Sequence, residues 1–362
     1  MRIVYCINGF YRAAGMERVL ADKANWLVAH GYELTILTTD QQGRPDAFPL
    51  DPRIRKIDLG IGYEDNNGGS LLDKLVHYPR KQRRHKRQLK RILAEIRPDI
   101  TVSMFCNEVN LLPRIHDGSR KVLEVHFSRF KRLQYGRSGL WSRIDRLRSR
   151  NDLKLAGRYD RFVVLTQEDR ELWGELPNLR VIPNPRTFVL PEPASLESHT
   201  VFAAGRYTHQ KGFDLLLKAW KMIDTQGWTL RIAGSGDPLE DVPSNVITGP
   251  SSNMVEEYLN AAFLVLSSRY EGLPMVLLEA QAAGLPIVSF TCKCGPRDVI
   301  TDGVDGLLIP DGDIAALAAG MKRLMDDEGL RRTMGAAAFR NSERYGKERI
   351  MALWDKLFHE LS

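Results

Sequence analysis

The strongest constraint on this chain is an alternation, run through twice, of short apolar segments with helical patterns. In the first half Arg2–Ile7, Glu33–Thr39, Asp99–Met104, Val122–Val125 and Arg161–Leu165 are strand-length runs, and a helical period extends from about Met16 to His30. Strands that alternate with helices predict a parallel sheet with helices on both faces. Around residues 183–198 the chain reads PNPRTFVLPEPASLES, with four prolines and no clear period, which marks a linker. The alternation then restarts with Thr200–Ala204, Thr229–Ala233, Val246–Thr248, Phe263–Leu266 and Pro286–Ser289. Helical patterns lie between them, from Gly212 to about Ile223, around 253–262 and from about 274 to 283. The expected fold is α/β: two Rossmann-like, doubly wound domains facing each other across a cleft. Their bounds are residues 1–185, a linker at 186–199, and residues 200–346. A C-terminal helix at 347–362, with Ile350, Leu353, Trp354 and Leu357 on one face, is expected to pack back towards the N-terminal domain. Open α/β sheets bind ligands beyond the carboxyl ends of their strands, so the site should draw on loops from both halves.

Composition narrows the class. With 43% hydrophobic and 27% charged residues the chain reads as globular rather than disordered. Its formal charge of +7 is unevenly spread: residues 1–190 hold 35 basic and 22 acidic residues, residues 191–362 hold 17 and 23. The first half is therefore suited to an anionic surface. Four cysteines (Cys6, Cys106, Cys292 and Cys294) are too few for a disulfide scaffold, and the last pair lacks the spacing of a structural zinc site. Reduced thiols in a cytosolic protein are expected. The opening MRIVYCINGF reads as a buried strand rather than a secretory signal. No run approaches the roughly 18–20 apolar residues that span a bilayer. The expectation is a soluble, intracellular protein able to touch a membrane.

Three loops carry candidate chemistry. After the first strand comes INGFYRAAGMER, whose glycines lack the G-x-G-x-x-G spacing of a dinucleotide fingerprint; NAD is not expected. Gly15, just before a helix, either brings backbone N–H groups close to a phosphate or only forms a tight turn. The second domain opens with VFAAGRYTHQKGFDLLLKAW, where Arg206 and Lys211 precede a helix. They form either a diphosphate site, Arg binding bidentately and Lys as a point charge, or a solvated basic loop. In SSRYEGLPMVLLEAQAAGLPIVS, Glu271 and Glu279 lie eight residues apart. If both sat on one helix face they would be about 12 Å apart by helical rise, too far for an acid/base pair on one bond and suited to two grips on an elongated ligand. Gly272 permits close backbone approach, and Glu279, set in apolar sequence, needs a partner.

These residues, with the following AAGLPIVSF and GPRDVITDGVDGLLIPDGD, give the second half a resemblance to the retaining glycosyltransferases of family 4, which have the GT-B architecture. In the first half AAGMER resembles the family's Gly-Gly-x-Glu-Arg loop, with Ala14 in place of the first Gly. The resemblance implies a nucleotide-sugar donor in the interdomain cleft. Glu279 would hold the ribose hydroxyls, and Glu271 with the N–H groups near Gly272 and Leu273 would hold the transferred sugar. Arg206 and Lys211 would neutralise the diphosphate without a metal, so no cofactor is expected. His126, in VLEVHFS, matches the family's His facing the donor sugar; an isolated His is more often structural. Asn184 in IPNPR also fits the pattern, with a turn-forming role expected. The family's retention of anomeric configuration without a protein nucleophile implies that the leaving phosphate oxygen helps deprotonate the acceptor.

The acceptor side is the basic half. Lys74–Arg91 holds nine Lys/Arg and no acid. Arg129–Arg161 holds eleven Lys/Arg against three acids, interleaved with Phe130, Leu133, Tyr135, Leu140 and Trp141. No base-reading motif accompanies them, so nucleic acid is not expected. Such runs are either solvated helix faces or docking surfaces for anionic lipid. The expected activity is transfer of a hexose, from a UDP-hexose with GDP-mannose left open, to a saccharide or lipid-linked acceptor in polysaccharide biosynthesis, on the inner face of the cytoplasmic membrane. Two other readings stay open. A nucleotide-sugar epimerase or hydrolase of the same fold would need no acceptor. A non-catalytic basic adaptor would tolerate Glu271→Ala.

Overall fold

The protein is described from a computed structural model covering residues 1–66, 71–133 and 138–362. Tyr135 and the side chains of Lys74 and Leu140 fall outside the described residues. The first sheet has seven strands, β1 (Arg2–Ile7), β2 (Glu33–Thr38), β3 (Arg55–Asp58), β4 (Ile100–Ser103), β5 (Arg120–Glu124), β6 (Arg161–Val164) and β7 (Leu179–Val181), in the order β3-β2-β1-β4-β5-β6-β7. The second has six, β8 (Thr200–Ala204), β9 (Thr229–Ala233), β10 (Val246–Gly249), β11 (Phe263–Leu266), β12 (Ile287–Phe290) and β13 (Gly306–Ile309), in the order β10-β9-β8-β11-β12-β13. All pairings in both sheets are parallel. The helices α1 (Gly15–Ala29), α2 (Leu71–Ile96), α3 (Gly139–Ala156) and α4 (Gln167–Trp173) serve the first sheet. The second carries α5 (Phe213–Lys221), α6 (Met254–Leu259), α7 (Met275–Ala282), α8 (Pro296–Val299), α9 (Ile314–Asp326) and α10 (Glu328–Asn341).

The central strands β4, β11 and β12 are buried along their whole length, as continuous apolar runs covered on two faces should be. Three strands are not read from sequence. All three are edges: β3 reads Arg-Lys-Ile-Asp and is largely exposed, β7 is three residues long, and β13 is a four-residue Gly-Leu-Leu-Ile. Short, charged edges are how a sheet avoids pairing with other chains, and they carry little apolar signal. In both sheets the order reverses beside the first strand of its domain, between β1 and β4 and between β8 and β11. Each reversal opens a crevice at the strand ends where a ligand fits.

The last helix, α11 (Lys347–His359), fills the core of the first domain. Ile350, Met351, Trp354, Leu357 and Phe358 share one buried cluster with Ile3, Tyr5, Leu27 and Ile36. Leu353, assigned to the buried face from periodicity, is 42% exposed; Met351 and Phe358 take its place, so the stripe is rotated from the expected one. Polar contacts fix the docking: Trp26 Nε1 donates to Glu348 at 2.8 Å and Tyr32 donates to Asp355. The proline-rich segment also packs: Ala194 and Leu196 are buried with Leu277 and Leu278 of α7. Trp354 is 2% exposed, so Trp354→Ala should destabilise the protein by about 3–5 kcal/mol through lost burial and an unfilled cavity. Urea unfolding measures this; a loss under about 1 kcal/mol would mean that α11 is not integral to the first core.

Candidate functional site

The donor-side loops are shaped by one close approach. Gly212 has φ +64°, and a Cβ there would lie 2.1 Å from the Ser267 carbonyl oxygen, so only glycine lets the loop after β8 lie against the end of β11. Ser267 Oγ donates to the Lys211 carbonyl at 3.0 Å and closes the same contact. Lys211 Nζ is thereby placed 2.7 Å from Glu271 Oε1, which also accepts from Ser268 Oγ at 2.7 Å. Glu271 is buried and its loop is fastened by a bond from its N–H to the Lys293 carbonyl. Among the described residues the N–H groups of Gly272 and Leu273 donate to no protein acceptor. Arg206, at the start of the same loop after β8, is exposed and makes no ion pair among the described residues.

Glu279 has a different environment. Its Oε2 accepts from Tyr258 OH at 2.7 Å and its Oε1 from Thr187 Oγ1 at 2.9 Å. Burial pushes its carboxyl up, while the two hydroxyls and the Arg18 charge act against that rise. The partner that its apolar setting demands is therefore a pair of neutral hydroxyls, one of them from the linker.

On the opposite wall His126 follows the end of β5. Its Nε2 lies 2.9 Å from Glu124 Oε1. Lys23 Nζ, on α1, donates to both Glu124 oxygens at 2.6 and 2.5 Å. Lys23 and Glu124 are each 1% exposed. The ammonium also sits 3.8 Å over the Trp354 ring of α11. Burial alone would raise the Glu124 carboxyl, but Lys23 and His126 outweigh it and hold it well below the ordinary carboxylate range. An ionised Glu124 can only accept, so the His126 ring carries a proton on the Nε2 that faces it.

The two walls meet at Gly272. A Cβ there would lie 2.6 Å from the His126 carbonyl oxygen and 3.0 Å from Phe127 Cα. The domains are also tied beside the site by Gln167 N to Asp298 at 2.5 Å and by Cys294 N to Glu168 at 3.0 Å. Gly15 opens α1, whose N-cap Ala14 offers no side-chain bond, and it stands against Met275 of α7 across the cleft.

His126, Glu271, Gly272 and Leu273 are thus brought together, with Lys211 and Arg206 beside them. Three sequence expectations change. Glu271 lies four residues before α7, so helical phase does not relate it to Glu279, and the 12 Å spacing by helical rise does not apply. Gly272 serves the contact between domains. Asn184 is buried, with Nδ2 3.4 Å from Met275 Sδ, so it links the segment after β7 to α7 in addition to any turn it makes. Lys23 and Glu124 are missed by sequence reading, and Glu17, though inside AAGMER, is given no role there. Glu17, 6% exposed, has a carboxyl raised by burial, against which a backbone hydrogen bond and then Arg12, His126 and Arg206 act, so groups of both domains surround it. A lysine in an amphipathic helix reads as a surface group, and only the Glu-x-His spacing in VLEVHFS hinted at a pair.

A glycosyltransferase family 4 model matches residues 13–186, and a group 1 glycosyl transferase model matches residues 198–327. The chain is 25% identical to the amylovoran biosynthesis glycosyltransferase AmsD of Erwinia amylovora, over 99% of both chains. Sucrose-phosphate synthase of Thermosynechococcus elongatus has the same fold, with a TM-score of 0.83 at 18% identity, covering 99% of this chain and 98% of that one. So does HepE of Anabaena, solved with UDP and glucose, with a TM-score of 0.74 at 14% identity, covering 99% of this chain and 100% of that one. Two facing Rossmann-like domains with the site at their junction are the GT-B architecture. The chain belongs to the family 4 glycosyltransferases.

The Lys23–Glu124 pair gives a sharp test. Glu124→Gln leaves a buried ammonium without its counter-charge and should cost about 3–5 kcal/mol. Adding Lys23→Met to it should recover part of that loss. Because the folded carboxyl titrates below its unfolded value, its stabilisation is present above the ordinary carboxylate range and fades as pH falls below it. Urea unfolding of wild type and variants at pH 7 and pH 3 measures both effects. Equal costs at the two pH values would contradict the ionised pair.

Proposed function

We propose that this chain transfers a hexose from a UDP-hexose to a saccharide or lipid-linked acceptor in polysaccharide biosynthesis, with retention and without a metal. The observation that carries the proposal is the Lys211–Glu271 pair beside the two open amides of Gly272 and Leu273. A carboxylate, an ammonium and two N–H donors at one point suit a polyol joined to an anion. Glu271 and the two amides grip the transferred sugar. Arg206 and Lys211 take the diphosphate and stabilise the charge that grows on it as the bond to the sugar breaks. The uncapped start of α1 at Gly15 adds helix-terminal donors. Glu279, its carboxylate already oriented by Tyr258 and Thr187, offers its remaining lone pairs to the ribose diol. His126 lines the sugar's other side. No side chain is assigned as nucleophile; the leaving phosphate oxygen takes the acceptor's proton. AmsD, named for amylovoran biosynthesis, and HepE, which binds UDP and glucose, support this choice of pathway class and donor.

Among the described residues no helix is long and apolar enough to cross a membrane. We propose that the basic face docks on the cytoplasmic leaflet instead. Arg80, Arg83, Arg84 and Arg87 of α2 are exposed, and α3 exposes Arg143 and Arg146 with Trp141 at 45% and Leu147 at 62%. Cations with apolar side chains between them suit anionic headgroups.

Glu271→Ala should lower transfer by about 10²-fold or more, and Glu279→Ala should weaken nucleoside diphosphate binding by about tenfold. Transfer should be unchanged by EDTA and should depend on an added acceptor. Retained transfer in both variants would remove the site assignment, and turnover without acceptor would favour the epimerase or hydrolase reading. Binding should favour anionic over neutral vesicles and fall with added salt; equal retention on both would remove the membrane surface.

A further inference from the structure

A cavity of about 310 Å³ opens in the first domain next to His126, which none of the assignments above uses. Its walls come from Tyr78 of α2 and from three strand ends: Asn8 after β1, Phe105 and Asn107 after β4, and Phe127, Lys131 and Arg132 after β5. Phe127 follows His126 directly and touches the Gly272 contact, so the cavity begins where the transferred sugar is placed. Its volume lies within the range of small-molecule sites.

The walls carry two kinds of chemistry. Asn107 Nδ2 donates to Asn8 Oδ1 at 3.0 Å, which orients both amides and leaves each with further donor or acceptor capacity. Phe105 and Phe127 meet edge to face with centroids 4.9 Å apart, giving apolar ring surface. Amides for vicinal hydroxyls and rings for C–H faces suit a saccharide. Phe105 holds φ +57°, a strained conformation for a non-glycine residue and one that recurs at ligand sites.

The second kind is charge. Arg132 Nε is paired with Asp152 at 2.9 Å. Lys131 makes no ion pair among the described residues; its Nζ lies 4.7 Å from the Phe127 ring centroid. Its ammonium is disfavoured by burial first and then by the positive charges of Arg132 and Arg206. A partly buried cation beside two other cations, lining an open cavity, is a position that an anionic ligand relieves. The donor's diphosphate already has Arg206 and Lys211 on the other domain.

We infer that this cavity is the acceptor subsite and that it selects a saccharide bearing an anionic group, held by Lys131 with Arg132 at its side. The inference rests on the transferase reading and adds the acceptor's chemical class. The negative group is either a carboxylate on the sugar or the phosphate linking it to a lipid.

The test first titrates UDP and GDP, which reports on the donor site alone. With the donor site filled, binding of three probes is measured by calorimetry: methyl β-D-glucoside, methyl β-D-glucuronide and an octyl-diphosphate-linked glucose. One anionic probe should bind about tenfold or more tightly than the neutral one, and which one it is identifies the source of the charge. Lys131→Met should abolish that preference, Lys131→Arg should restore it, and neither should change nucleoside diphosphate affinity. No preference in the wild type, or a preference that survives Lys131→Met, overturns the inference. Failure of both nucleotides to bind would strike the transferase reading instead, and is read before any saccharide is added.

Discussion

The site depends on the contact between Gly272 and the His126 carbonyl. Two domains, each with its own crevice at a reversal of strand order, become one site only because a backbone from one can rest on a backbone from the other. A side chain at Gly272 would hold them apart. That contact sets Glu271 and the open amides of Gly272 and Leu273 against the end of β5, and the ties from α4 to Asp298 and Cys294 hold it from the side. A glycosyl transfer in which donor and acceptor enter from different domains needs such registration, because small misplacements of reacting groups are costly.

Behind His126 runs a chain of buried charge that reaches the far end of the sequence. Trp354 covers Lys23, Lys23 neutralises Glu124, and Glu124 fixes the proton on the His126 ring. The C-terminal helix therefore supports the site as well as closing the first domain's core. Glu124 is ionised because Lys23 and the bond to His126 outweigh its burial. Glu279, with no ion pair and only the Arg18 charge acting against its burial, is pushed the other way and is oriented by hydroxyls. Two carboxylates are thus given different roles by their partners.

The fold was legible because central strands are buried on both faces and carry unbroken apolar runs. The edge strands β3 and β7 were not, because charge and brevity are what an edge needs. Spacing around glycines and helix starts singles out Arg206, Lys211, Glu271 and Glu279 as candidates. Their relation was misjudged for Glu271, since Pro274 caps α7 and ends the helical phase before it. Lys23 was invisible because its role is tertiary: the pattern of α1 places it on a helix, and only the packing of α11 and the end of β5 makes that position buried. Lys131 was seen as one charge in a basic run; its lack of a carboxylate partner among the described residues belongs to the folded chain.

The most direct measurement is a comparison of Gly272→Ala with wild type for nucleoside diphosphate affinity and transfer rate on the same preparation. The second domain's own loops stay intact, so affinity should change by less than about threefold, while the displaced contact should lower transfer by about 10²-fold. Unchanged transfer in a folded Gly272→Ala protein would contradict the claim that this approach of the two domains completes the site.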